Sequence, residues 1–220
     1  MITIASAIEE IIGSSPFLDE ALSEGLINVS SLARYIKPEV ERLTKKEVKE
    51  SAIVMAIHRR PAGHIFLITK RIKTFMAGLG DIIVRSGLND HTFENSSTLN
   101  TCLRQLMKST TKGKEVFCTF SQGVKETTVI ATNLLDADID EIFKNENLLA
   151  RKKGLGSVTV LLPKNNTEVS GVYYTMLKHL AWANINICEI ISTTNEISLI
   201  FSEKDVAQAF PILMNLKRKW

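Results

Sequence analysis

The sequence predicts an α+β protein in which two consecutive ferredoxin-like units, each ordered βαββαβ, follow a helical N-terminal region. Three observations support this. The chain repeats itself at an offset of 70 residues, taking Cys118 to Cys188 and Glu126 to Glu196. Beyond residue 79, β-branched runs alternate with runs of helical period, the pattern of strands mixed with helices. Residues 1–60 carry helical period alone. The expected divisions are 1–75, 79–150 and 151–220.

The offset carries most weight because one register holds through four elements. Glu115-Val-Phe-Cys118 falls on Ile185-Asn-Ile-Cys188, and Glu126-Thr-Thr-Val-Ile130 on Glu196-Ile-Ser-Leu-Ile200. Leu103, Leu106 and Met107 align with Tyr173, Met176 and Leu177, and Ile139, Ile142 and Phe143 with Ala209, Ile212 and Leu213. Each copy reads strand, loop, helix, strand, turn, strand, helix. In the second copy Ser157–Pro163 is a β-branched strand and Asn165–Gly171 a turn-rich loop, with Ser170 placed to cap the helix that follows. The first copy opens with a strand over Asp81–Ser86 and closes with one near Leu148–Leu155. The second copy ends in its helix with no closing strand, so its open edge invites strand exchange between copies or chains. Pro211 interrupts that last helix without explanation from the sequence.

The N-terminal region reads as short helices. Ile4, Ala7, Ile8, Ile11 and Ile12 form one stripe, and Pro16–Leu26 a second helix ended by Gly25. Asn28 offers a cap for a helix through Ile36, stopped before Pro38. Thr44-Lys-Lys-Glu47 has the form of a capping box for a helix reaching His58. A strand over 64–70, paired with 81–86, would complete a winged helix-turn-helix. Lys45, Lys46 and Lys49 would then face a phosphate backbone, although Glu47 and Glu50 interleave with them as on any solvated helix.

Composition narrows the function classes. Hydrophobic residues make up 45%, enough for a packed core, and the formal net charge of +3 is too small to demand nucleic acid. No apolar run reaches membrane-spanning length, and Glu9 and Glu10 sit where a signal peptide would be basic, so a cytoplasmic location is expected. Cys102, Cys118 and Cys188 lack metal or disulfide spacing. His58, His64, His91 and His179 are scattered, and no nucleophile-and-base spacing occurs. The cluster Asp136, Asp138, Asp140 and Glu141 suits a helix start. Neither a cofactor nor a catalytic role is expected.

Against this background the stretch 157–216 resembles an ACT domain, most closely the tandem ACT regulatory region of aspartate kinases. The residues that carry the resemblance are Gly171, Ala181-Trp-Ala-Asn-Ile-Asn-Ile187, Ile191-Ser-Thr-Thr-Asn-Glu-Ile-Ser198 and Asp205-Val-Ala-Gln-Ala209. Upstream, Phe120-Ser-Gln-Gly-Val-Lys-Glu-Thr-Thr-Val129 is similar to the same family's first hairpin. Residues 1–75 lie outside the resemblance. The Lys-x-Gly-Gly motif of the kinase domain does not occur, and Gly78-Leu-Gly80 lacks a lysine to hold phosphates.

The resemblance implies a regulatory protein that binds a small effector, an amino acid, between two ACT units, and a homodimer formed through them. The implied contacts are Asn166, Val169, Ser170 and Gly171 with Asn184, Ile185, Asn186 and Ile187 in the second copy, and Asn89, Asp90, Val116 and Gln122 in the first. A zwitterion needs free N–H groups for its carboxylate and carbonyl or amide acceptors for its ammonium, which a helix start beside turn residues provides. The alternatives are a ligand-responsive DNA-binding regulator and a regulatory subunit related to aspartate kinase that serves a partner enzyme.

Overall fold

A computed structural model describes residues 2–60, 64–110 and 116–218, so Glu115 of the repeat lies outside the described residues. The chain divides into two compact units, Met1–Lys73 and Thr74–Trp220.

The first unit is helical: α1 (Ile4–Gly13), α2 (Pro16–Ser23), α3 (Val29–Thr44), α4 (Glu50–His58) and the start of α5 (His64–Ala77). Thr3 caps α1 by accepting from the Ser6 N–H at 3.1 Å, and Asn28 caps α3 by accepting from Ser31 at 3.0 Å. The apolar stripes of α1, α3 and α4 meet in a core of Ala7, Ile8, Ile12, Ala33, Val40 and Ile53. Arg60 ties α1 to α2, forking onto Glu9 at 2.7 and 3.1 Å and pairing with Asp19.

Three expectations fail here. Residues 64–70 begin α5 and are not a strand, while 82–86 belong to the sheet of the second unit, so no two-stranded wing forms. The helix expected over 44–58 is two elements. Thr44 donates its hydroxyl back to the Val40 carbonyl at 2.7 Å, Lys45 turns to φ 55°, and α4 restarts at Glu50. The Thr44 box is absent, and Glu41 accepts from the Val48 N–H at 3.0 Å instead. Finally, α3 runs through Pro38. Pro38 and Arg34, whose carbonyl the proline leaves unbonded, are both exposed, so water can satisfy that oxygen. Pro211 is accommodated inside its helix in the same way, with exposed Ala207 four residues earlier.

The second unit is built on one antiparallel six-stranded sheet, ordered β2-β3-β1-β4-β6-β5. Its elements are β1 (Ile82–Glu94), α6 (Leu99–Thr110), β2 (Cys118–Gln122), β3 (Glu126–Thr132), α7 (Asp136–Ile142), β4 (Leu148–Leu161), α8 (Val172–Trp182), β5 (Glu189–Ser192), β6 (Glu196–Ser202) and α9 (Glu203–Arg218). The hairpins β2–β3 and β5–β6 occupy the two edges. β3 and β6 begin and end at the 70-residue offset found in the sequence.

The long central strands run past one another. Ile82–Arg85 of β1 pair with Val160–Ser157 of β4, while Asp90–Phe93 pair with Lys152–Leu148. The edge of β4 left open by the sequence is therefore covered within the chain, by the N-terminal half of β1. Register shifts interrupt this ladder between Arg85 and Leu88 and between Leu88 and Asp90, beside Gly87 and Gly154, both at φ 67°. Only glycine adopts that conformation at little cost, and such bulges bend a strand. The register shifts and the two glycines mark this point as the crease of the sheet.

Alternation along the strands separates two faces. Phe93, Val129 and Ala131 meet Leu99, Leu103 and Leu106 of α6 and Ile139 of α7. Gly156 lies under α9, where a Cβ would stand 2.7 Å from Val206 Cγ2. On the opposite face Leu88, Ile130, Leu155 and Ile200 form a second buried cluster at the crease.

Candidate functional site

The two loops that follow β1 and β4 stand at matching places in the topology but are built differently. After β1, residues 95–98 are closed by side chains. Asn95 Nδ2 donates to the Gly123 carbonyl at 2.9 Å, and the Thr127 hydroxyl donates to Asn95 Oδ1 at 2.6 Å. Ser96 and Thr98 donate to the Glu146 carboxylate at 2.5 and 2.7 Å, and Ser96 Oγ accepts the first free N–H of α6, that of Leu99, at 3.0 Å. Burial pushes Glu146 up, but the donors Ser96, Thr98 and Cys102 outweigh it and hold its carboxyl below the usual range.

After β4, residues 162–171 carry one comparable clip. Asn166 is buried, and its Nδ2 donates to the Pro163 carbonyl at 3.2 Å and to the Thr194 carbonyl. Together with the Leu162 N–H on the Asn195 carbonyl at 2.7 Å, this ties the loop to the β5–β6 turn. Helix α8 then begins at Gly171, at φ 86°, with no side chain capping it. Ser170 is exposed and does not cap; Val169 is half-buried. The first N–H groups of α8 thus lack the side-chain acceptor that Ser96 gives α6, and glycine allows close approach to them.

Asn184, Ile185, Asn186 and Ile187 lie at the other end of α8. Its 11 residues separate them from Gly171 by about 16 Å at 1.5 Å per residue. Asn184 takes φ 56° and donates to the Ala181 carbonyl at 2.9 Å, and Ile185 donates to Leu180 at 3.1 Å, the bonding of a left-handed helix stop. Ile185 is buried beneath it, whereas Asn186 is exposed. One α8 does not bring the two halves of the implied site together.

In the first half, Asn89 and Asp90 sit inside β1 and point to opposite faces. Asn89 is buried, donates to Asp136 Oδ2 at 2.7 Å and accepts from the Gly154 N–H at 3.2 Å, bracing the crease. Asp90 is also buried and accepts from the Thr92 hydroxyl at 3.2 Å; burial pushes its carboxyl up. Val116 lies two residues before β2, and Gln122 is the last residue of that strand.

Sequence reasoning missed the group around His91. The ring is fully buried, and neither nitrogen has a hydrogen-bond partner among the described residues. Its Nε2 lies 3.6 Å from Asp136 Oδ1. Burial, and then the nearby Arg151, push the ring below its ordinary range, so near neutral pH the imidazole is neutral and this contact is not an ion pair. Arg151, the cross-strand neighbour of His91, pairs with Asp140 on α7. The only sequence signal was the acidic run at 136–141.

Lys45, Lys46 and Lys49 are exposed, and they lie in the connection between α3 and α4 and at the α4 cap, not along a helix face. No group of three metal-ligating side chains occurs among the described residues. Burial pushes the Cys118 thiol up to about 11, far from the thiolate that reactive cysteines need. No helix among the described residues is long and apolar enough to cross a membrane.

No protein-family model and no curated protein matches the sequence. Solved structures do match. Aspartate kinase from Clostridium acetobutylicum is similar over 63% of this chain and 34% of its own, at 16% identity and a TM-score of 0.51. The regulatory subunit of aspartate kinase from Thermus thermophilus, in its ligand-free form, is similar over 63% of this chain and 99% of its own, at 10% identity and a TM-score of 0.52. The chain thus spans about a third of the Clostridium enzyme and nearly all of the Thermus subunit. In fold, the chain carries an ACT-like region that resembles the regulatory domains of aspartate kinases.

Proposed function

We propose that the chain is a regulatory protein that binds an amino acid through a pair of ACT-type units, without catalysing a reaction. The first unit comprises β1 from Leu88, α6, β2, β3, α7 and the start of β4. The second comprises the rest of β4, α8, β5, β6 and α9, completed by Ile82–Arg85.

One observation carries this reading. At matching helix starts, α6 is capped by Ser96 while α8 begins at a left-handed glycine with no side-chain cap. The α8 start therefore suits the effector carboxylate, held by the Val172 and Tyr173 N–H groups and the Ser170 hydroxyl. Because Asn184–Ile187 lie at the far end of the same helix, they serve a ligand on another unit, which supports a homodimer with shared sites. Likeness to an aspartate kinase regulatory subunit supports the regulatory role. Effector binding would favour one packing of the units and so bias a partner surface or enzyme.

A calorimetric and thermal-shift screen of the twenty amino acids tests the reading. Saturable heat and a raised melting temperature with one or a few of them are expected. Silence with all twenty contradicts it.

A further inference from the structure

We infer that the crease in β1 holds a second small-molecule site, built for an organic carboxylate with a short apolar body and no ammonium group. The inference stands apart from the effector reading, since it concerns other residues and another class of ligand.

A cavity of about 530 Å³ opens at the crease, within the range of small-molecule sites. Its described lining is Arg85, Ser86, Leu88, Val116, Phe117 and Thr132. The Arg85 guanidinium lies 5.1 Å from the centroid of the Phe117 ring, a stacking that holds the fork in place before any ligand arrives. Among the described residues Arg85 makes no ion pair. It is half-buried, so the charge is partly desolvated and lacks the carboxylate that such arginines normally hold.

The walls choose among anions. Leu88 is 1% exposed, and it forms an apolar surface with Val116 and Phe117 that a bare inorganic ion would leave unused. The Thr132 hydroxyl is already engaged, accepting from the Phe117 N–H at 3.0 Å, which leaves Ser86 to bond a carbonyl or hydroxyl of the ligand. No described lining residue is acidic, so none of them would pair with the ammonium of an amino acid. A branched 2-oxo acid meets all three conditions. Arg85 pairs with β4 and Leu88 with β3, so one ligand here touches both sides of Gly87 and would fix the bend of the strand.

The test is titration of the full chain with 4-methyl-2-oxopentanoate, leucine and inorganic phosphate, each followed by calorimetry. Saturable binding of the oxo acid is expected, weakened about tenfold or more in Arg85→Gln and in Arg85→Lys, which keeps the charge but loses the planar fork. If either variant fails to fold, the wild-type protein still decides, because the oxo acid should protect Arg85 from phenylglyoxal, read by peptide mass. Binding of phosphate as tight as that of the oxo acid, equal binding of leucine, or no protection of Arg85 would each overturn the proposal.

Discussion

The two halves of the creased sheet share strand order and hairpin placement, yet they end their first strands in opposite ways. In the first half, Ser96 and Thr98 give their hydroxyl protons to Glu146, Ser96 caps α6, and Asn95 is held by Gly123 and Thr127. In the second, a longer loop hangs on Asn166 and delivers α8 with its first N–H groups uncapped. One topology therefore supports a sealed joint and an open one, and the difference lies in a few side chains.

The largest effect should come from Gly156→Ala. A Cβ would meet Val206 Cγ2 at 2.7 Å and the Arg85 carbonyl at 2.9 Å, so the Val206 side chain and the backbone of β1 at Arg85 must shift. Overpacking of this kind costs about 1–3 kcal/mol. Chemical denaturation should show the loss, and hydrogen exchange should place it in β4, β6 and α9 rather than in α6.

Glu146→Gln would unseal the first joint. It weakens the bonds from Ser96 and Thr98, and about 1 kcal/mol is expected after allowance for solvent. Faster exchange of the Leu99 amide would locate the change.

Acid should also act on the first half. A histidine held below its ordinary 6.5 takes up protons more readily when unfolded, so its contribution to stability is present above that pH and is lost as the pH falls through it. Melting temperatures between pH 7.5 and 5.5 should decline on the acid side in the wild type, and more gently in His91→Gln. Equal slopes would remove His91 from the explanation.

Ser170→Ala should be the mildest. The side chain is exposed and caps nothing, so stability should change by less than about 0.5 kcal/mol, while amino-acid affinity should fall.

Much of the sheet was legible in the sequence because β-branched alternation and a 70-residue offset specify hairpins locally. What escaped was set by longer stretches of sequence or by distant partners. Residues 64–70 have strand-like composition but continue in sequence into Arg71–Ala77, and the whole run is one helix, local propensity being a weak guide. Asn89-Asp90-His91 is polar, yet Asp136 and Gly154 take the Asn89 side chain and Thr92 bonds Asp90, and the strand runs through them. Gly171 at the start of α8 was legible as a motif, but the sequence pointed to a Ser170 cap that does not form. That α8 separates Gly171 from Asn184 followed from its length only once the helix was seen.

The most direct test of the open joint is the amide spectrum of the protein during titration with the amino acid that gives heat. The Val172 and Tyr173 amides should shift saturably while those of Leu99 and Asn100, behind the sealed loop, stay still. Movement at α6 with none at α8 would contradict the account.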